Sequence, residues 1–171
     1  RDPKRARELV LSLSRFFRIN LKQNTAVVTL KEEIDHVNAY LAIEKARFAE
    51  RLQVAIKCDD AAMSALLPSF TLQPLVENAV KHGIAQRIEG GHLTLNVRCT
   101  TDNHIHILVE DNAGLYKPKK EQHAGLGMDI VDKRLIHQFG QQAGLVIECR
   151  TNQFTRMSFS IPHTHYHSHQ G

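Results

Sequence analysis

Residues 93–109 constrain this chain more than any other stretch. Leu93, Leu95, Val97 and Cys99 alternate with polar neighbours, and the alternation resumes at Ile105, Ile107 and Val109 after the turn residues Thr101, Asp102 and Asn103. A side-chain period of two puts every apolar member on one face of a hairpin, so the sheet has one dry face and one wet face. Something else in the chain must cover the dry face. That material is written at helical period. Residues 3–19 read as a helix with Leu9, Leu13, Phe16 and Phe17 along one side, and Thr29 to Glu32 has the capping-box pattern that opens a second helix. Leu30, Ile34, Val37, Leu41 and Phe48 carry that helix to about Glu50; residues 69–83 read as a third, ending at Gly83. A fourth runs from near Gly125 to Phe139, with Gly140 as its C-terminal cap. Leu52, Val54 and Ile56, then about 144–149 and 154–161, supply further strands. The expected fold class is α/β: a two-layer α/β sandwich, with helices on one face of a mixed sheet and an N-terminal helical extension.

Composition narrows the function classes. The chain has 171 residues, 42% apolar and 23% charged, enough for a real core and wrong for a disordered protein. No apolar run reaches the roughly 18 residues of a membrane helix. Cys58, Cys99 and Cys149 are too scattered for a disulfide framework or a zinc knuckle. The net charge of +4 arises at one end: residues 1–22 carry +5 and the remainder −1. A solvated basic helix explains this better than a nucleic-acid surface. His163, His165, His167 and His169 alternate at the C-terminus and read as a disordered tail rather than a metal site.

Three places carry chemistry. In the helix Leu72–Gly83, Leu72, Val76, Ala79, Val80 and Gly83 share one side, while Asn78, Lys81 and His82 point the other way. An amide oxygen, an ammonium and an imidazole on one face could hold a metal-bound polyphosphate. An ordinary surface pair of Glu77 with Lys81 accounts for part of the same pattern. Second, the strand ending Val109-Glu110-Asp111 runs into Asn112, Ala113 and Gly114; its carboxylate could accept from an exocyclic amine, or the segment could be only a turn. Third, Gly125-Leu126-Gly127 opens a helix and could bring backbone amides to an anion. It is no dinucleotide fingerprint, because Ile130 stands where the third glycine belongs, and the chain has no Walker A sequence.

In this order and spacing the set resembles the ATP-binding domain of the GHKL superfamily, with its Bergerat fold, and within it the LytS-like sensor histidine kinases. Asn78, Lys81 and His82 match that family's N box, Asp111 its first glycine box, Gly125 and Gly127 its second, and Thr155-Arg156 its terminal box. Segments 13–18, 38–44 and 72–78 are also typical of this branch. The sequence departs from the family where Ala113 and Leu115 stand in place of glycines, where Phe154 replaces the glycine before Thr155, and where Pro74 occupies the position at which many superfamily ATPases carry a general-base Glu. The family's phosphoacceptor segment is absent; His36, beside Asp35, matches a different part of the pattern.

The resemblance implies ATP and Mg²⁺ as cofactors. Asn78 would hold Mg²⁺, Lys81 and His82 would contact phosphates, and Asp111 would recognise adenine. Gly114, Gly125, Leu126, Gly127 and Thr155 would complete the nucleotide site, Glu77 would be the nearest carboxylate to a base, and residues 112–124 would form a lid. It further implies phosphoryl transfer to a His on a dimerisation helix, relay to a response regulator, and a homodimeric parent. Residues 1–28 are expected to be a helix and linker left from the dimerisation region, 29–162 the catalytic domain and 163–171 the tail. On this reading the fragment is soluble and cytoplasmic, cut from a parent in the bacterial inner membrane. The rival is a nucleotide-binding signalling module without kinase activity, favoured by Ala113, Leu115 and Phe154.

Overall fold

The computed structural model describes residues 26–117 and 126–163, together with Lys4, Arg7, Val10, Leu11, Leu13 and Ser14. Those last six are all helical, as the pattern over 3–19 predicts; Leu9, Phe16 and Phe17 lie outside the described residues. In order come β1 (Val27–Thr29), α1 (Leu30–Phe48), β2 (Leu52–Cys58), β3 (Leu66–Pro68), α2 (Leu72–Asn78), β4 (Gly91–Cys99), β5 (His104–Asp111), α3 (Leu126–Phe139), β6 (Val146–Arg150) and β7 (Phe154–Pro162).

The five long strands form one mixed sheet in the order β2-β4-β5-β7-β6, with β2 parallel to β4 and every other neighbour antiparallel. The hairpin alternation holds along its length. Leu93, Leu95, Val97, Ile105, Ile107, Val109, Met157, Phe159 and Ile161 are all buried. Leu30, Val37, Leu41, Leu75, Val76, Val131 and Leu135 of the three helices join them in one core. Each such side chain contributes roughly 1.5–3 kcal/mol by leaving water. The opposite face stays wet: His106 Nδ1 meets Ser160 Oγ at 3.1 Å, and Arg156 grips Glu110 through Nε at 2.7 Å and Nη2 at 2.6 Å. One covered face and one solvated face make the expected two-layer sandwich.

The capping box at Thr29 forms as its spelling predicts. The Thr29 amide donates to Glu32 Oε2 at 2.8 Å, and the Glu32 amide donates to Thr29 Oγ1 at 3.2 Å. Thr29→Ala is expected to cost about 1 kcal/mol, as N-cap losses typically do. Urea unfolding would measure it, and an unchanged midpoint would show that packing alone holds α1. At the other end of the chain, Gly140 takes a φ of 93° and its amide bonds the Ile136 carbonyl at 2.9 Å, closing α3 as expected.

Two features depart from the expectations. β1 and β3 pair antiparallel as a separate small sheet, so Val27 and Val28, expected in the linker of 1–28, belong to the folded body. Three-residue strands are too short to show a period. The helix expected over 69–83 is divided. Its α-helical part spans Leu72–Asn78; the turn then widens over Ala79–Gly83, where the Ile84 amide bonds both the Ala79 and Val80 carbonyls, and tightens over Ile84–Gln86.

Candidate functional site

The sheet delivers its chemistry to one end. Asp111 is the last residue of β5, and it pairs in register with Leu93 of β4 and Thr155 of β7. α2 and its widened extension cross beside that end, and the first turn of α3 stands opposite. Between them lies a cavity of about 690 Å³, within the usual range for small-molecule sites. Its α2 side is lined by Pro74, Glu77, Asn78, Lys81, His82 and Gln86, and its other wall by Leu115, Tyr116, Lys117, Gly127 and Met128.

The helical face of Asn78, Lys81 and His82 therefore opens on a cavity. Glu77 lines it as well, despite standing about one residue's turn from Asn78. The ordinary reading of Glu77 also holds, since its carboxylate pairs with Lys81 Nζ. Asn78 Nδ2 approaches Met157 Sδ at 3.7 Å, a contact that engages the amide nitrogen and not the amide oxygen. That oxygen is a hard ligand of the kind Mg²⁺ accepts, and Lys81, His82 and Lys117 supply donors around it. The residues present fit a magnesium-bound polyphosphate.

Asp111 and Thr155 do not line the cavity. Each is 1% exposed, and they form a buried pair at the end of the sheet. Asp111 Oδ1 accepts from the Ala113 amide at 2.8 Å and the Gly114 amide at 3.2 Å. Burial raises the Asp111 carboxyl above the usual carboxylate range, against the pull of those amides and of Thr155. Gly83 explains how the carboxylate fits: a Cβ there would sit 2.9 Å from Asp111 Cγ, so only glycine lets the two meet. In sequence Gly83 reads as a helix end; its role against Asp111, 28 positions away, leaves no local signal.

The loop after Asp111 is anchored on both sides. Arg87 Nη1 donates to the Asn112 carbonyl at 2.7 Å, and the His92 amide donates to Asn112 Oδ1 at 2.8 Å. Gly114 takes a φ of 62° and receives the Asn152 amide on its carbonyl at 3.1 Å. Ala113, standing where the family pattern has glycine, is buried, and Gly114 takes the left-handed position instead. Gly127 packs near Pro74, with a Cβ position 3.4 Å from the Pro74 Cβ. α3 begins at Leu126, while Gly125 and residues 118–124 of the expected lid lie outside the described residues. Of the alternating histidines, His163 is described, with Nε2 at 2.9 Å from the Ala61 carbonyl; His165, His167 and His169 lie outside. His36 is 1% exposed, its ring edge-on to Phe70 at 5.3 Å. Among the described residues no His, Cys, Asp and Glu cluster could hold a metal, and no described helix is long and apolar enough to cross a membrane.

Residues 66–165 match the family described as histidine kinase-, DNA gyrase B-, and HSP90-like ATPase, and residues 1–52 match the family described as histidine kinase. The chain is 48% identical over 162 residues to the sensor histidine kinase BtsS of Escherichia coli K12, covering 95% of this chain and 28% of that protein. It is 37% identical over 168 residues to the sensor histidine kinase/phosphatase LytS of Staphylococcus aureus MRSA252, covering 90% of this chain and 28% of that protein. The chain thus spans little more than a quarter of the length of these relatives. In structure it is similar to the catalytic domain of histidine kinase ThkA, with a TM-score of 0.56 at 17% identity over 81% of this chain and 97% of that one. It is also similar to the histidine kinase domain of a blue-light activated kinase from Erythrobacter litoralis, with a TM-score of 0.59 at 17% identity over 92% and 74%. At such identities the likeness speaks for the fold, and the sequence matches speak for descent. The chain belongs to the histidine kinase-, DNA gyrase B- and HSP90-like ATPase family, in its sensor histidine kinase branch.

Proposed function

We propose that this chain is the ATP-binding catalytic domain of a sensor histidine kinase, with residues 29–162 as the catalytic unit. It would donate the γ-phosphoryl group of ATP to a His on a dimerisation helix, for relay to a response regulator. The parent would be a membrane-bound homodimer. The observation that carries this reading is the cavity on which Asn78, Lys81 and His82 converge, with Asp111 buried at the end of the sheet.

In this reading the Asn78 amide oxygen holds Mg²⁺, which when bound neutralises charge across the phosphates. Lys81 and His82 contact the phosphate oxygens, and Lys81 remains shared with Glu77. Gly125, Leu126 and Gly127 close on the triphosphate through backbone amides at the start of α3. Asp111, supported by Thr155 and Gly114, accepts from the adenine amine, once Leu115, Tyr116 and Lys117 of the cavity wall move aside to admit the base. Phosphoryl transfer asks mainly for positioning and charge neutralisation, which suits a site built without a nucleophile.

Calorimetric titration with ATP, with and without Mg²⁺, tests the binding half. Asn78→Ala is expected to weaken Mg²⁺-dependent binding about 10- to 100-fold, the scale of one lost contact to a charged group. Incubation with γ-labelled ATP and a separate hairpin bearing the phosphoacceptor His tests the transfer half. Acid-labile label is expected on the hairpin and none on His36, whose buried ring no phosphate can reach. Binding without transfer would replace the kinase by a nucleotide-gated signalling module, and no binding would remove both.

A further inference from the structure

We propose that Glu33 is a positioning residue for the nucleotide site: from α1 it holds the start of α2 and so sets where Asn78 meets the cavity. The inference rests on reading that cavity as the Mg²⁺-ATP site.

α1 buries more than its apolar stripe. Glu33, His36, Tyr40 and Glu44 recur at helical spacing and are 1%, 1%, 5% and 7% exposed, so a polar seam runs the length of the helix inside the protein. Burying a carboxylate is costly unless it is well bonded. Glu33 is bonded to one place, the entry to α2: Oε1 accepts from the Phe70 amide at 2.7 Å and Oε2 from the Leu72 amide at 2.8 Å. The His36 ring packs on the same Phe70. At the far end of the seam, burial first and then the carboxylates of Glu44 and Glu77 push the Tyr40 hydroxyl well above its ordinary range. The seam therefore runs beside α2 from its first residue to Glu77, which lines the cavity.

α2 needs this outside support. It has only seven α-helical residues, too few to stand alone, and Thr71 at its N-cap makes no capping bond to it. The Thr71 hydroxyl is spent on the Pro68 carbonyl at 2.6 Å. Pro74 brings no amide, so Glu33 is the carboxylate that serves the orphan donor of Leu72 at this helix start. It also holds Phe70, which adopts a φ of 60° that a residue with a Cβ takes only at a cost.

The same turn is a junction. The Ser69 amide donates to the Ala26 carbonyl at 3.1 Å, just ahead of β1, and the Ser69 carbonyl accepts from Arg134 Nη1 of α3 at 3.1 Å. Both walls of the cavity and the chain entering from the N-terminal side thus meet within Ser69 to Leu72, where Glu33 supplies the carboxylate and Arg134 the guanidinium. Glu33 touches no part of the cavity, so its effect on nucleotide must act through α2.

The test measures Mg²⁺-ATP affinity for Glu33→Gln, which keeps the shape but offers an amide donor to one of two backbone donors. Affinity with Mg²⁺ is expected to fall about tenfold, the low end of what outer-shell partners of a ligand contribute, with little change for ATP alone. On an Asn78→Ala background the same substitution should have almost no further effect, because both act on one contact. Asp59→Asn is the structural control: Asp59 Oδ2 accepts from the Cys99 amide at 2.8 Å at the far end of β4, so its loss should lower Tm and leave affinity alone. Should the Gln variant fail to fold, Glu33→Asp keeps the charge, draws it back by one methylene, and is read the same way. Unchanged Mg²⁺-ATP affinity, or an equal loss on the Asn78→Ala background, would overturn the proposal alone. An unaltered chain that does not bind Mg²⁺-ATP would overturn both it and the nucleotide reading.

Discussion

Asp111→Asn is expected to weaken ATP binding about 10- to 150-fold, the loss of one hydrogen bond to a charged group. The same substitution should leave thermal stability at neutral pH undiminished. The first effect follows from the proposed contact between the carboxylate and the adenine amine. An amide in that place presents a donor where an acceptor is needed. GTP should bind the parent poorly, because its keto oxygen would face the carboxylate with no proton between them, so the variant should also narrow the preference for ATP over GTP. The second effect follows from burial. The folded Asp111 carboxyl is raised above its unfolded value, chiefly by desolvation. A raised carboxyl stabilises while it is protonated, fully so below the unfolded range, and that contribution is lost as pH rises through the folded value. Once deprotonated, the parent carries a costly buried charge that the amide avoids. The amide oxygen can still accept from Ala113 and Gly114. Relative to the parent, the variant should gain in Tm as pH rises out of the ordinary carboxylate range. Calorimetry with both nucleotides and melting curves across pH check this. If affinity and base preference both stay unchanged, Asp111 is a turn residue and the base site lies elsewhere.

Gly114→Ala is expected to destabilise the fold by about 2–5 kcal/mol. Roughly 1–2 kcal/mol comes from forcing a residue with a Cβ into the left-handed region, where Gly114 has a φ of 62°. About 1–3 kcal/mol more comes from overpacking. The added Cβ would fall 2.0 Å from the Arg150 carbonyl oxygen and 2.7 Å from the Gln153 amide nitrogen, and backbone on that turn cannot swing aside as a side-chain tip would. Gly127→Ala is the matched comparison, since its Cβ would meet Pro74 at an ordinary 3.4 Å. Urea unfolding of both variants measures the difference. A Gly114→Ala protein within about 0.5 kcal/mol of the parent would mean that the β6–β7 turn yields, and that the loop after Asp111 is not pinned by it.

Much of the site was legible because it obeys a local period. Asn78, Lys81 and His82 lie within five positions, so helical geometry alone puts them on one side, and the cavity opens on that side. Asp111 ends a strand whose alternation is clear from Ile105 onward, which places it at the edge of the core. The widened turn over Ala79–Gly83 was not legible. No residue type marks it, and its last residue is followed by Ile84, which is fully buried. Gln86 and Met128 line the cavity without any motif to announce them.

Alternation, helical spacing and the Thr29 capping box are properties of neighbouring residues, and steric and hydrogen-bonding rules act on neighbours directly. They suffice for the sandwich, for its dry and wet faces, and for the face of α2 that carries Asn78. The remaining features join residues far apart in the chain. β1 meets β3 across a whole helix and strand, Glu33 reaches Phe70 and Leu72, Arg134 reaches Ser69, and Asp111 settles on Gly83. Each depends on the distance between two backbones once the core has closed, a quantity that no single segment contains. A buried Glu one position from an apolar stripe looks in sequence like any surface Glu of a first helical turn. Packing of α1 against α2 removes its water and supplies two amides in return, and only that exchange ties it to the entry of α2.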